Sequence, residues 1–124
     1  MCTGYTAEGR ALVQRGHELS DEDLRMCYQQ YHEAVIAVLK CAEQKWLNLF
    51  ERAGGKQKEL LNMEHAIGDN IHQLGYIPEK LADRLIALGY ISAEIICDPL
   101  AAFIAICERL RAEHNLPSRE QVAA

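Results

Sequence analysis

The stretch from Ser20 to Ala53 reads as one helix, and its length limits what the rest of the chain can form. Ser20-Asp21-Glu22-Asp23 is a start signal. The Ser20 hydroxyl can accept from an unpaired N–H of the first turn, and Asp23 holds the reciprocal place of a capping box, with Asp for the usual Glu. Acids in that turn also suit the positive end of the helix dipole. Apolar residues then recur at steps of three and four: Leu24, Tyr28, Tyr31, Val35, Val38, Ala42, Trp46 and Leu49. A second line, Cys27, Ala34, Ile36, Leu39, Cys41, Leu47 and Phe50, runs beside the first. A helix lying on a surface needs one apolar stripe, so two stripes require partners on two sides. Gly54-Gly55 supplies a left-handed stop. At 1.5 Å per residue the helix is on the order of 50 Å long. That length predicts protruding ends or a second copy packed along it.

The remaining segments read as shorter helices laid against this spine. Thr6 to His17 has Thr6 as cap, Ala7, Ala11, Leu12 and Val13 inside, and Gly16 at its close. Lys56 to Leu74 carries Leu60, Met63, Ile67, Ile71 and Leu74 on one face and ends at Gly75. Leu74-Gly75-Tyr76-Ile77-Pro78-Glu79 is echoed by Leu88-Gly89-Tyr90-Ile91-Ser92-Ala93-Glu94. In each copy Gly closes one helix and Pro78 or Ser92 opens the next, with Pro78 to Leu88 helical between them. Asp98-Pro99 interrupts Ser92 to Asn115, either as a kink or as the cap and first turn of a new helix; the new helix is preferred. Its inner face is Leu100, Phe103, Ile104, Cys107 and Leu110. Leu116-Pro117-Ser118 ends it, and residues 117–124 are expected to fray. With no strand pattern anywhere, the expected fold is all-α: a single domain over 1–124, five or six helices bundled around the long helix at 20–53.

Length and charge narrow the function classes. A chain of 124 residues can bury a real core. No apolar run approaches the ~18 residues of a membrane helix, and the N-terminus lacks the basic and apolar regions of a secretion signal. Five cysteines without a CxxC pair indicate neither a disulfide framework nor a zinc site, which points to a reducing cytoplasm. Formal net charge is −5, and the second half of the chain carries most of the deficit. Nucleic-acid binding relies on Lys and Arg neutralising phosphates, so this balance speaks against it and favours solubility or a basic protein partner.

Two constellations offer chemistry. His65, Asp69 and His72 stand at i, i+4 and i+7, on one helical face, and Asp69-x-x-His72 has the carboxylate–imidazole spacing of di-iron bundles. A second such motif is missing. His32 and Glu33 are the nearest candidates for extra ligands, and they point different ways. The ordinary reading of the same residues is a polar outer face, with Gly68 allowing a close helix contact. The other constellation is Arg109-Leu110-Arg111-Ala112-Glu113-His114. Its Arg, four intervening residues and His resemble the motif of HEPN ribonucleases, helical domains in which such residues act on an RNA phosphodiester at a dimer interface. Leu110 departs from the polar residue that family places after the Arg, and Arg10 with His17 and Arg25 with His32 match as loosely. Leu74-Gly75-Tyr76 with the helix after it is similar to the Met-Gly-Phe loop of ubiquitin-associated domains, without a matching third helix. Cys27, Cys41, Cys97 and Cys107 are assigned to apolar helix faces.

These observations favour a non-enzymatic protein that acts by surface contact on another protein, one with a basic surface, and needs no cofactor. Immunity proteins and phage or plasmid anti-defence inhibitors act in that general way. Self-association through the long helix is the related expectation. The alternatives are a metal-binding bundle using His65, Asp69 and His72, or a ribonuclease using Arg109 and His114.

Overall fold

The computed structural model describes residues 7–53 and 56–123. Six α-helices follow one another: α1 (Ala7–Arg15), α2 (Asp21–Ala53), α3 (Gln57–His72), α4 (Glu79–Ala87), α5 (Pro99–Glu113) and α6 (Arg119–Ala123). Short 3-10 turns at Gly16–Glu18 and Ser92–Glu94 interrupt the connections. The fold is an all-α bundle around one long helix. No strand occurs among the described residues, and no described helix is long and apolar enough to cross a membrane.

α2 is unbroken over 33 residues. The Asp23 N–H donates to the Ser20 hydroxyl at 3.2 Å, so the expected cap is present. Leu24, Tyr28, Tyr31, Val35, Ala42 and Trp46 from the first stripe are buried, as are Cys27 and Leu39 from the second. α1 packs on α2, and so do α3 and α5, which also pack on each other. Packing rather than propensity holds the shorter pieces. Alone, a helix of nine residues such as α4 is marginal in water. In place, its buried Leu81 and Leu85 each contribute ~2 kcal/mol of apolar burial. Arg84 on the same helix donates to the Leu19 carbonyl at 3.0 Å and to Asp21 at 2.9 Å, fastening α4 to the start of α2.

The paired Leu-Gly-Tyr-Ile corners behave alike at first and then diverge. Gly75 and Gly89 both take positive φ, 77° and 107°, the backbone that closes a helix. After the first, α4 begins with Pro78 at its cap position. After the second, Ser92 makes no side-chain cap and only a single 3-10 turn forms. Ile95 is extended, and Asp98 takes φ −132°, ψ 96° ahead of Pro99, since the proline ring disfavours helix in the residue before it. The Asp98 carboxylate accepts from the Ala101 N–H at 3.2 Å, so a new helix starts here. Cys97 therefore lies in a connecting loop, not on a helix face.

Two further expectations are corrected. Cys41 is disulfide-bonded, whereas the sequence indicated no disulfide; Cys27, Cys97 and Cys107 form no disulfide. The end of the chain, expected to fray from 117, forms α6 with Val122 buried. Asn115 at φ 58° closes α5, and the Leu116 N–H donates back to the Arg111 carbonyl at 2.8 Å. Ser118 and Gln121 then cap α6 reciprocally: the Gln121 N–H donates to the Ser118 hydroxyl at 3.2 Å and the Ser118 N–H to the Gln121 side chain at 2.8 Å. The proposed caps at Thr6 and Gly54-Gly55 lie outside the described residues.

Candidate functional site

The most polar part of the interior is built on one turn of α3. The buried positions of α3 are Leu60, Glu64, Gly68 and Ile71, spaced so that a carboxylate stands in the inward stripe. Glu64 is 1% exposed. Arg111, one turn beyond the buried Cys107 on α5, is also 1% exposed. A bare charge at either position would be expensive, so the two occur together. Arg111 grips Glu64 with two hydrogen bonds, Nε to Oε2 at 3.0 Å and Nη2 to Oε1 at 3.1 Å. Its remaining nitrogen donates to the Gln57 side chain at 2.9 Å and to the Pro117 carbonyl at 3.1 Å. The Trp46 indole donates to Glu64 Oε2 at 2.7 Å, and Arg119 of α6 donates through Nε to Oε1 at 3.0 Å. Four helices, α2, α3, α5 and α6, thus meet at one carboxylate. The neighbouring Cys107 thiol is fully enclosed, and burial, helped by the Glu64 charge, pushes it up to about 12. Both carboxylate oxygens are therefore occupied by donors.

Two grooves on the described surface bring candidate residues together. One lies between α2 and the 90–96 segment, with a volume of about 670 Å³. Its floor is Tyr28, whose ring meets Tyr90 edge-on at 5.2 Å between centroids. Ile36, Ala93 and Ile96 add apolar wall. The Tyr28 hydroxyl accepts from the Ile96 N–H at 3.2 Å and stands 3.2 Å from His32 Nδ1, which ties the loop to the helix. Burial raises the Tyr28 hydroxyl above its ordinary value, against the pull of the Ile96 N–H. Glu33 and Glu94 border this groove, both exposed, and no Lys or Arg lines it. The other groove runs along α3, about 360 Å³, between Glu64, His65, Gly68, Asp69 and His72 on one side and Leu100, Phe103, Ile104 and Arg119 on the other.

His65, Asp69 and His72 therefore share a groove, as their spacing implied, and all three are exposed. Among the described residues, no three His, Cys, Asp or Glu side chains form a group that could hold an ion. His32 and Glu33 border the α2 groove instead. Arg109 and His114 are each engaged elsewhere. Arg109 bonds Glu43 and Glu113, both at 2.8 Å, and the Glu43 bond leads in holding it more firmly protonated. His114 packs its ring 4.6 Å from that of Phe50, which stacks on Trp46. Tyr76, in the loop likened to ubiquitin-associated domains, is 65% exposed.

Sequence reasoning does not pair Glu64 with Arg111, because Glu and Arg are mostly exposed residue types. The signal was present: Glu64 stands four residues from Leu60 and seven from Ile71, and Arg111 four from Cys107, all inward positions. Comparison with models of known families, with curated proteins and with solved structures finds no match for this chain.

Proposed function

We propose that the protein is a non-enzymatic binding module that takes a basic, partly apolar segment of another protein into the α2 groove. One observation carries the reading: an aromatic and aliphatic lining, Tyr28, Tyr90, Ile36 and Ile96, bordered by Glu33 and Glu94 with no Lys or Arg among the lining residues. A Lys or Arg side chain suits such a place, since its stem lies on apolar surface, its head reaches carboxylates, and tyrosine faces attract cations. The formal net charge of −5 steers a basic partner toward the molecule. Occupying a basic active or nucleic-acid-binding surface of that partner would inhibit it.

The test is fluorescence anisotropy with labelled peptides that alternate Lys or Arg with aliphatic residues, against acidic peptides of the same length. Basic peptides should bind saturably. Reversing both rim charges, Glu33→Lys with Glu94→Lys, should weaken them by on the order of tenfold, about 1.4 kcal/mol. Equal affinity for acidic peptides, or no change in the doubly reversed variant, would overturn the proposal.

A further inference from the structure

The α3 groove shares no lining residue with the α2 groove. Glu64 is matched in charge by Arg111, and both are almost completely dry. Arg119 then brings a second guanidinium to the same carboxylate, so these three side chains hold one positive charge in excess. Only its Nε is engaged: among the described residues the two terminal amines of Arg119 meet no acceptor. The side chain is 19% exposed and lines the groove. The Arg119 backbone N–H donates to Glu108 Oε1 at 2.9 Å.

Helix geometry orders the groove along α3. Asp69 lies five residues beyond Glu64, roughly 7 Å along the axis, and His72 about 12 Å along it. The guanidinium thus marks one end, and the Asp69 charge lies away from it toward the other. Leu100 and Ile104 supply an apolar wall between. The volume of about 360 Å³ falls in the range of small-ligand clefts.

We infer that the α3 groove binds a small organic acid, its carboxylate or phosphate forked on the terminal amines of Arg119 and its apolar body against Leu100 and Ile104. A planar guanidinium recognises either oxyanion through two parallel hydrogen bonds, so both acids share the chemistry.

Thermal unfolding of the whole chain tests this, with hexanoate and phenyl phosphate as probes and chloride at matched ionic strength as control. The midpoint should rise by about 4 °C at five times the dissociation constant. The probe with the tighter constant identifies the acid group. Arg119→Gln should abolish the rise. Because Arg119 also braces Glu64, Ile104→Trp is the second variant: it fills the groove from an exposed position and should abolish the rise while leaving unliganded stability near wild type. A shift no larger than that of chloride, or one that survives Ile104→Trp, would overturn the inference.

Discussion

Replacing Glu64 by glutamine removes one negative charge and almost no volume, so it isolates what that charge does. In the folded protein Arg111 and Arg119 converge on it, with the Trp46 indole as a third donor. Arg119, 19% exposed, can turn toward water; Arg111, 1% exposed, cannot. The substitution leaves Arg111 buried without a counter-charge and sets an amide N–H₂ against donors. Removing one partner of a buried pair costs about 3–5 kcal/mol. A domain of 124 residues has roughly 6–18 kcal/mol of stability in all. Glu64→Gln should therefore lower the thermal midpoint by roughly 12–20 °C. Thermal unfolding followed by fluorescence is well placed to measure it, because the single tryptophan, Trp46, touches the altered group. Replacing the pair together, Glu64→Leu with Arg111→Met, should restore most of the loss, since apolar side chains of similar size often match a buried pair. A single variant within about 1 kcal/mol of wild type, or a double variant as damaged as the single, would refute the reasoning.

Two further outcomes follow from the geometry. Gly75 sits at φ 77° with a would-be Cβ 2.6 Å from Val13 Cγ1, so Gly75→Ala meets both backbone strain and a clash; urea denaturation should show a loss of about 2–4 kcal/mol. The Cys107 thiol is pushed from 9.0 up to about 12 in the folded protein. Between those pH values the unfolded chain loses a proton that the folded chain keeps. This contribution is therefore fully present below pH 9 and is lost as pH rises, by at most about 1.4 kcal/mol per pH unit. Urea midpoints at pH 8 and pH 10 should converge in Cys107→Ala relative to wild type, and an unchanged difference would count against the burial account.

The spine was legible because long-range packing adds nothing that contradicts its pattern: the Ser20 cap and both apolar stripes are local facts. Glu64 and Arg111 were illegible for the opposite reason. Each looks like a solvent-facing charge until the other is known to face it across 47 positions of sequence. α6 lies between these cases. Its capping box, Ser118 with Gln121, is a local signal, yet five residues form a helix only because Val122 and Arg119 find partners on the rest of the fold. The loop at 95–98 follows from Pro99 acting backward on Asp98, which the sequence also contained. His65, Asp69 and His72 line one groove, as their spacing implied, with Leu100, Phe103, Ile104 and Arg119 on its other side.

Backbone amide shifts recorded during titration with a basic, partly aliphatic peptide test the central claim most directly. The account predicts saturable changes concentrated at residues 28–36 and 90–96, absent in the Glu33→Lys, Glu94→Lys variant. Changes centred elsewhere, or none at millimolar peptide, would contradict it.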